Sequence, residues 1–455
     1  MMPRPPPTYT IRLYYFVFVI LLILCSHSLT SMERREIPWF QTYGTHDSDE
    51  NGRRIIKTSD GDFALVGTIE REGWQGNLAD FWLVKVDATG QALWNRTYGN
   101  DEANENYDYG EVLTNAILTK DSGFALVGIT KDTVPGYHDE TSSWLVKTDS
   151  SGLVQWNRTY GYDVNKEYGD ELIGGITQHE DGGFILTGQR RFTGDNSGLW
   201  VMKVDNNGLE EWNQTYDQEY SWGVGIVQVA DGGVVVGGSS RAIWNGTCNF
   251  LLMKLDSNGT VQWKRIYGSP ADQVAKAFIQ TSDAGFALAG VNASRYGREP
   301  QDIWLIKTDA NGMVEWNQTY SYYDYQNCEA LIQTSDGGFA IAGYLVTNTE
   351  SGTDLDGLLI KTDANGLVQF NRTYACDVNE WLFDLIQMND GGFSLLGRVS
   401  ESGSYDFWLI RTDASGSPPQ CSFLSSSTSL KTSGLMISSV VAAFIILYYF
   451  SKRRK

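Results

Sequence analysis

Three short sequence signatures recur seven times each, in a fixed order, between residues 39 and 416. The first is an aromatic segment, WFQTYG or a close variant, and it begins at Trp39, Trp94, Trp156, Trp212, Trp263, Trp316 and Phe370. The second is a glycine turn that leads into an apolar segment, and it begins at Asp60, Asp121, Asp181, Asp231, Asp283, Asp336 and Asp390. The third ends with a Lys or Arg, one further residue and an Asp, with Gly three residues later; its aspartates are Asp87, Asp149, Asp205, Asp256, Asp309, Asp363 and Asp413. A period of 50 to 61 residues predicts that one structural unit is repeated seven times.

Each unit contains four short apolar or aromatic segments separated by turn residues. Representative segments are a (ALIQT, 330–334), b (GGFAIAG, 337–343), c (IWLIKTD, 303–309) and d (VEWNQTY, 314–320). Four short strands in a unit of this length are typical of a propeller blade. Segment b is apolar on both faces, as expected of a strand that neighbouring blades cover on both sides. The sequence therefore predicts an all-β fold: a single seven-bladed β-propeller of four-stranded antiparallel blades.

The repeat is permuted at its ends. The chain starts with a d segment at Trp39 and ends with a c segment at Asp413, so the last unit lacks a d strand and the first unit has one to spare. Pairing the two would close the ring and leave no exposed edge between the first and last blades. We predict a propeller over residues 38–416 in which the N-terminal strand is the outer strand of the last blade.

The turn between segments c and d carries a family resemblance. The corner Asp87-x-x-Gly90-x-x-x-Trp94 resembles the tryptophan-docking repeat of quinoprotein-type propellers, and it is also similar to repeats of secreted prokaryotic, often archaeal, cell-surface proteins. The resemblance covers about residues 39–416 and implies the propeller fold. In quinoprotein dehydrogenases the spacing from Asp to Gly is typically one residue longer, so binding of pyrroloquinoline quinone (PQQ) is not expected.

The two ends of the chain predict where the protein resides. An apolar run over 13–25, preceded by two arginines, is typical of a secretory signal peptide, which we assign to 1–31. The segment 434–450 is almost wholly apolar and is followed by the basic residues 451–455, as in a transmembrane helix with a cytoplasmic tail. The Ser/Thr-rich residues 417–433 would form a stalk. We expect a single-pass cell-membrane protein with its propeller outside the cell.

Charge and cysteine content narrow the choice of partners. The formal net charge of -20 argues against a nucleic-acid partner, which requires clustered Lys and Arg. Beyond the signal segment lie Cys248, Cys328, Cys376 and Cys421, and none forms a CxxC pair, so a metal cluster is not expected. One or two disulfide bonds fit an extracellular protein, but the spacing does not define their pairing.

Eight glycosylation sequons fit an extracellular location. Their asparagines are Asn95, Asn157, Asn213, Asn245, Asn258, Asn292, Asn317 and Asn371. The alternative is that five of the sequons recur because the d segment itself contains Trp/Phe-Asn-x-Thr-Tyr.

A residue that recurs in every unit is expected to be structural, because a binding site on a ring must break its symmetry. This assigns the seven Trp or Phe residues of the first signature to packing between blades. The cation two residues before each turn Asp is expected to form a structural ion pair; these cations are Lys85, Lys147, Lys203, Lys254, Lys307, Lys361 and Arg411.

Recognition is expected on one face of the ring. The a–b and c–d turns are short and nearly invariant, and they define a short-turn face. The d–a and b–c connections vary and define the opposite, variable-loop face, where a rigid scaffold usually carries recognition. Aromatic side chains there suit stacking on sugars or protein contacts, or they could cap the blade ends. The candidate ligand-binding residues are Trp74, Tyr109, Tyr137, Tyr168, Trp222, Trp244, Tyr323 and Trp381.

A set of carboxylates is predicted at the channel mouth. Ten residues before the Asp of the second signature stand Glu50, Glu111, Glu171 and Glu380, with Ser or Gln in the other three units. If segment a is innermost, these four carboxylates would ring the mouth and could bind Ca²⁺, which prefers oxygen ligands. The alternative is that they are solvated or hydrogen-bond to the next blade.

Signals for catalysis are sparse. The sequence has no GxSxG motif, no phosphate-binding loop and no metal-binding His pair. We therefore expect a binding, adhesion or scaffold module for a glycan or protein ligand on the variable-loop face, with no required cofactor. The alternative is an extracellular enzyme, either a quinoprotein-like oxidoreductase or a carbohydrate-active hydrolase or lyase, with its site in the axial channel. A structural component of the cell envelope is a third possibility.

Overall fold

A computed structural model describes most of the predicted propeller. The described residues are 38–45, 48–73, 76–99, 110–131, 141–161, 171–191, 197–216, 220–241, 246–268, 271–293, 301–322, 325–349, 352–376, 378–401 and 404–418. The predicted signal peptide, nearly all of the stalk, the predicted transmembrane segment and the basic tail lie outside these ranges. Within the ranges, no helix has both the length and the apolar character needed to cross a membrane.

The described residues form seven sheets, and each sheet has four antiparallel strands. The strands of blade 1 are β2 (Ser48–Lys57), β3 (Phe63–Gly73), β4 (Gly76–Val86) and β5 (Ala92–Tyr98); those of blade 2 are β6 (Val112–Leu118), β7 (Phe124–Lys131), β8 (Thr141–Thr148) and β9 (Val154–Tyr160); those of blade 3 are β10 (Glu171–Gln178), β11 (Phe184–Arg191), β12 (Ser197–Val204) and β13 (Glu210–Tyr216). Blade 4 contains β14 (Ser221–Gln228), β15 (Val234–Arg241), β16 (Cys248–Leu255) and β17 (Val261–Tyr267); blade 5 contains β18 (Asp272–Gln280), β19 (Phe286–Ala293), β20 (Asp302–Thr308) and β21 (Val314–Tyr320); blade 6 contains β22 (Tyr325–Gln333), β23 (Phe339–Thr349), β24 (Gly352–Thr362) and β25 (Val368–Tyr374). Blade 7 contains β26 (Glu380–Gln387), β27 (Phe393–Glu401), β28 (Ser404–Arg411) and the N-terminal strand β1 (Trp39–Tyr43).

The ring is closed by the N-terminal strand, as predicted. Strand β1 pairs antiparallel with β28, with Trp39 opposite Arg411 and Tyr43 opposite Phe407. The first strand of each blade contacts the first strands of the blades on both sides, including β2 with β26. These seven first strands therefore surround the central axis, and blades 7 and 1 meet as any other pair of neighbours does.

The aromatic residue of each d strand docks onto the corner of the next blade. A Cβ atom added at Gly90 would lie 2.5 Å from the Trp39 ring, and Gly90 also has a φ of +84°. Glycine is thus required at this corner both by its backbone conformation and by the ring above it. The same arrangement places Trp94 over Gly152 and Phe370 over Gly416. The predicted packing of these rings between blades is confirmed.

A tyrosine hydroxyl links every pair of neighbouring blades. Each d-strand tyrosine donates a hydrogen bond to the carbonyl oxygen of the same corner glycine, over distances of 2.5 to 2.9 Å in six of the seven cases. The seven pairs are Tyr43 with Gly90, Tyr98 with Gly152, Tyr160 with Gly208, Tyr216 with Gly259, Tyr267 with Gly312, Tyr320 with Gly366 and Tyr374 with Gly416.

The recurrent cation of each c strand pairs with the Asp of the a–b turn in its own blade. Lys307 Nζ lies 2.8 Å from Asp283 Oδ2, and Lys361 Nζ lies 2.9 Å from Asp336 Oδ2. Equivalent pairs occur in the other five blades, with Arg411 and Asp390 in blade 7. The lysine beside Asp283 helps to hold the pKa of that carboxyl at about 2, against the effect of burial. The predicted structural ion pairs are therefore confirmed in all seven blades.

The hydrophobic core lies between blades rather than within one of them. In strand β23 the four residues from Phe339 to Ala342 are all at most 1% exposed, so both faces of the strand are covered. The buried cluster around Phe339 combines residues of blade 5, such as Leu305, with residues of blade 6, such as Ile341. The repeat therefore buries its apolar side chains only when the blades are assembled side by side.

The described cysteines fall into two groups. Cys248 and Cys328 are buried, free thiols. Cys376 is disulfide-bonded, and its partner lies outside the described residues.

Candidate functional site: the axial channel

The channel wall is shaped by a β-bulge that recurs at one position of every first strand. In each blade the register between the first and second strands shifts by one residue there. A bulge leaves its extra residue unpaired and redirects its side chain. The seven bulged residues, which we name the bulge ring, are Arg53, Thr114, Gly174, Val224, Lys276, Glu329 and Phe383.

The bulge ring is where the sevenfold repetition breaks down. Its seven positions carry seven different residues, whereas the corner glycines, d-strand tyrosines and cation pairs recur around the ring. All seven bulged residues are half-buried or exposed. A channel wall with cations, an acid, a hydroxyl, an aromatic ring and apolar groups at equivalent positions is suited to an asymmetric ligand.

One side of the channel carries a chain of polar side chains that crosses four blades. We name Asp384, Arg54 and Asn115 the polar belt. Arg54 Nη1 lies 3.4 Å from Asp384 Oδ1, and Arg54 Nε donates to Asn115 Oδ1 at 2.9 Å. Asn115 Nδ2 in turn donates to the carbonyl oxygen of Gly174 at 3.0 Å. Blades 7, 1, 2 and 3 are thus joined around the axis.

Asp384 is a buried member of the polar belt. Its Oδ2 atom accepts a hydrogen bond from the backbone N–H of Ile55 at 2.9 Å. Burial raises the pKa of this carboxyl, whereas Arg54 and the backbone hydrogen bonds lower it. Arg54 therefore opposes the effect of burial on the pKa of this carboxyl.

Glycines bring the first strands of blades 3 and 4 close together. A Cβ atom at Gly174 would lie 2.2 Å from the carbonyl oxygen of Gly223, and one at Gly175 would lie 2.8 Å from the Cα atom of Gly225. No other residue would fit at such a backbone approach without a shift. The backbones of these two strands therefore approach each other more closely than side chains at Gly174 and Gly175 would allow.

An aromatic and cationic cluster lies on the wall of blade 7, toward the variable-loop face. The guanidinium carbon of Arg398 is 4.1 Å from the centre of the Trp381 ring and 4.5 Å from that of Tyr405. Phe383 lies between two cations, with Arg53 at 5.0 Å and Arg398 at 5.9 Å from its ring centre. Stacking on aromatic faces favours guanidinium groups in these positions.

The cluster continues into blade 1 through hydrogen bonds. Arg398 donates to Asn51 Oδ1, and Asn51 Nδ2 donates to Glu70 Oε1 at 3.2 Å. Burial raises the pKa of Glu70, with Asp49 acting in the same direction and Arg398 opposing it. Burial also lowers the pKa of Arg398. Cation, amide and carboxylate groups therefore lie close together beside aromatic side chains at the seam, where blade 7 meets blade 1.

Two of the predicted ligand-binding aromatics lie in described residues, and both belong to first strands rather than to loops. Trp222 is half-buried in β14, and Trp381 in β26 is 8% exposed. Trp381 packs on Arg398, as described above, and edge-on against Tyr405 with ring centres 5.5 Å apart. The remaining candidates, Trp74, Tyr109, Tyr137, Tyr168, Trp244 and Tyr323, lie outside the described residues.

The described members of the predicted carboxylate set are buried and hydrogen-bonded. Glu50 and Glu380 are fully buried and Glu111 is 8% exposed. Glu380 Oε1 accepts from the backbone N–H of Cys376 at 2.8 Å, and Glu111 Oε1 accepts from Thr130 Oγ1 at 3.2 Å. The side chain of Glu171 lies outside the description. Among the residues that the structure describes, no three His, Cys, Asp or Glu side chains form a group that could hold a metal ion.

Glu50 has a distinctive environment at the closure seam. Its carboxyl accepts hydrogen bonds from Ser48 Oγ and from the backbone N–H of Thr45, and it interacts with the carboxylate of Asp406. Burial raises the pKa of Glu50 to about 8, against the two hydrogen bonds, and Asp406 adds to the increase. Glu50 is thus a protonated, structural group near neutral pH.

Most described sequon asparagines lie on the outer strands of the blades. Asn95, Asn157 and Asn317 are exposed on β5, β9 and β21, and Asn258 is exposed at a c–d turn. The half-buried positions are Asn213, Asn292 and Asn371, and Asn245 lies outside the described residues. Asn213 Oδ1 accepts a hydrogen bond from Trp200 Nε1 at 2.8 Å, so the recurrent asparagine has a structural role in that blade.

The bulge ring and the polar belt were not predicted from the sequence. A sequence signal exists, because the residue three positions after each Glu50 equivalent differs in every unit and the residue four positions after it is of five different types: Arg53 and Arg54, for example, correspond to Lys276 and Ala277. This variation becomes informative only when the bulge shows that both positions reach the channel.

The fold and its asymmetric channel define the class of protein: a seven-bladed β-propeller with four-stranded antiparallel blades. No protein-family model and no curated protein sequence matches the chain.

Similar solved structures are other propellers with very different sequences. The Pan2 WD40 domain of Neurospora crassa is 8% identical, with a TM-score of 0.46 over 80% of this chain and 89% of that chain. A mutant Trypanosoma rangeli sialidase is 9% identical, with a TM-score of 0.43 over 83% of this chain and 57% of that one. A putative oxidoreductase (glucose dehydrogenase) of Thermus thermophilus is 12% identical, with a TM-score of 0.39 over 64% and 94%. These likenesses extend to the fold alone.

Proposed function

We propose that this protein is a membrane-anchored, cell-surface binding module that recognises a glycan or protein ligand at the variable-loop end of its axial channel. The propeller serves as a rigid frame, and the irregular channel wall serves as the recognition surface. The apolar segment 434–450 with its basic tail anchors the chain, and the propeller lies outside the cell.

The observation that carries this proposal is the contrast between the blade interfaces and the bulge ring. Seven tyrosine–glycine hydrogen bonds and seven cation–Asp pairs repeat around the structure, so they hold the ring together. The bulged positions differ in every blade although they occupy equivalent places. Variation confined to a surface of a rigid scaffold is typical of recognition.

The chemistry of the cluster at the seam suits such a ligand. Phe383 and Tyr405 offer ring faces or edges, Arg53 and Asn51 offer donors, and Glu70 offers an acceptor. Flat rings beside hydrogen-bonding groups are the elements with which proteins bind sugars and the hot-spot side chains of partner proteins.

Two further observations support an extracellular location. Cys376 is disulfide-bonded, and disulfide bonds form and persist in oxidising compartments. Exposed sequon asparagines such as Asn95 and Asn157 lie on outer strands, away from the channel, where attached sugars would not block a ligand.

The proposal is tested with the full-length protein on intact cells and in lipid nanodiscs. Labelling of intact cells with a membrane-impermeant amine reagent should modify the propeller, and screening of the nanodisc protein on glycan and surface-protein arrays should identify a ligand. Arg53→Ala and Phe383→Ala should each weaken binding of that ligand at least tenfold. Leu367→Ala is the matched control, because Leu367 is 59% exposed on the short-turn side of blade 6.

Protection of the propeller from the reagent in intact cells would contradict an extracellular location of the propeller. Equal loss of binding in the control variant, or ligand binding unaffected by the two channel variants, would contradict the site.

A further inference from the structure

The part of the channel that runs from the bulge ring toward the short-turn face forms a cavity of about 330 Å³. The first strands of all seven blades contribute to its wall. A volume of this size is at the lower end of the range typical of small-molecule sites, and the cavity lies on the axis, where no single blade could create it.

Most of the side chains that line the cavity are apolar. The isoleucines that line it come from all seven blades and are Ile55, Ile56, Ile117, Ile176, Ile226, Ile279, Ile332 and Ile386. Phe278 and Leu331 complete the apolar surface on blades 5 and 6. These side chains favour contact with the hydrocarbon part of a ligand.

The polar side chains of the cavity are few and lie at one level. They are the polar belt (Asp384, Arg54 and Asn115) and Lys276 of the bulge ring. In the belt the charges of Arg54 and Asp384 balance each other at a separation of 3.4 Å. Arg54 is still 32% exposed as a side chain, although its Nε and Nη1 atoms are engaged with the belt.

Lys276 differs from the structural lysines of the propeller. The recurrent c-strand lysines are buried or half-buried and are paired with aspartates, whereas Lys276 is exposed and lines the cavity. No acidic side chain of the described residues lies within ion-pair distance of it. Glu329, the next member of the bulge ring, accepts a hydrogen bond from Asn327 Nδ2 at 2.9 Å. Among the described residues, Lys276 is therefore a cavity-lining cation without an ion pair, and Glu329 is a nearby acidic group.

We propose that this cavity is a binding site for a small organic carboxylate with a short hydrocarbon body. The carboxylate pairs with the ammonium group of Lys276 at the level of the bulge ring, and the hydrocarbon body lies against the isoleucine-lined wall. A monoanion matches the ammonium group of Lys276, and a hydrocarbon body matches the isoleucine side chains of the wall. The site is distinct from the aromatic and cationic cluster at the seam, and its existence does not depend on the proposed function.

The test measures binding of straight-chain carboxylates to the full-length protein in lipid nanodiscs by calorimetry, with empty nanodiscs as the blank. Sodium hexanoate should bind with one site per chain. Affinity should rise from butanoate to hexanoate by about fourfold per methylene, because each buried methylene adds a similar increment of transfer free energy. Hexanol and hexylamine, which have the same chain without the negative charge, should bind at least tenfold more weakly.

A pair of lysine variants separates the site from general charge effects. Lys276→Met should weaken hexanoate binding at least tenfold while the melting temperature of the protein stays unchanged, because Lys276 is exposed and carries no structural ion pair. Lys264→Met is the matched control, since Lys264 lies on the outer strand β17 of blade 4 and does not line the cavity. It should leave hexanoate affinity within a factor of two.

A third variant tests the apolar wall. Ile279→Trp should fill part of the cavity and reduce hexanoate affinity more than butanoate affinity. The proposal is overturned if no carboxylate binds up to about 10 mM, if hexanol binds as tightly as hexanoate, or if Lys276→Met and Lys264→Met have equal effects.

Discussion

Asp384 and Arg54 are 330 positions apart in the sequence and meet across the seam where the last blade adjoins the first, with Asp384 Oδ1 3.4 Å from Arg54 Nη1. The contact continues through Asn115 to the backbone of Gly174. Ring closure by β1 therefore does more than cover a sheet edge, because it also brings together the polar belt on the channel wall.

Removal of the Arg54 guanidinium should destabilise the propeller, because it leaves the buried carboxylate of Asp384 without its cation. Loss of one partner of a buried pair costs about 3–5 kcal/mol, and the partial exposure of Arg54 reduces our expectation to roughly 2 kcal/mol for Arg54→Met. The double variant Arg54→Met with Asp384→Asn should recover part of this loss.

The free energy of unfolding in urea measures the effect of the Arg54 variants. Lys57→Met, on the same strand β2 but exposed on the short-turn face, serves as the control and should change it by less than about 0.5 kcal/mol. Equal effects of Arg54→Met and Lys57→Met would contradict the structural role of the polar belt.

The hydrogen bond from Tyr43 to the Gly90 carbonyl oxygen fastens the closing strand to blade 1 at 2.5 Å. Tyr43→Phe should lower the free energy of unfolding by about 1 kcal/mol, because the buried carbonyl loses its partner. Tyr322→Phe is the matched control, since Tyr322 is 43% exposed. Denaturant unfolding of both variants measures the difference, and identical midpoints would show that closure does not depend on this hydrogen bond.

The sequence was sufficient to predict the structural features that depend on the repeat. The strand count per unit, the docking of Trp39 and its equivalents, the cation–Asp pairs and the exchange of β1 into blade 7 follow from residues that recur at fixed spacing. Each recurrent residue meets the same neighbours in every blade, so seven copies of the pattern specify one interface.

The channel could not be predicted in the same way. One extra residue in each first strand rotates the side chains that follow, so Glu50 points between blades while Arg53 and Arg54 reach the wall. Trp381 was assigned to a loop because the variable connection before it hides the start of β26. The pairing register and the strand boundaries depend on tertiary contacts, and the number of repeats does not determine these contacts.

The environment of Glu50 predicts that the protein loses stability as the pH rises. Its pKa is raised from 4.5 to about 8 in the folded state, so the folded protein holds this proton more tightly than the unfolded chain. The corresponding stabilisation is fully present below about pH 4.5 and is lost as the pH rises through about 8. Glu50→Gln, which stays neutral, should flatten this dependence.

Urea unfolding from about pH 5 to about pH 9 measures the slope. Glu210→Gln, at an exposed position of the outer strand β13, is the control and should retain the wild-type slope. A wild-type free energy of unfolding that is constant or rises across this range, or an unchanged slope in Glu50→Gln, would contradict a protonated Glu50.

The cysteines predict a defined thiol count. Cys248 and Cys328 are buried free thiols, and burial raises the pKa of Cys248 to about 11 and that of Cys328 further still, so neither thiolate forms near neutral pH. The folded protein should therefore not react with an aromatic disulfide reagent, because the thiolate is the reactive species.

Unfolding without reductant should release two reactive thiols, since Cys376 is held in a disulfide bond, and reduction should raise the count to four in a chain without its signal segment. Four thiols before reduction would show that Cys376 is not bonded, and would remove the disulfide as support for an extracellular propeller.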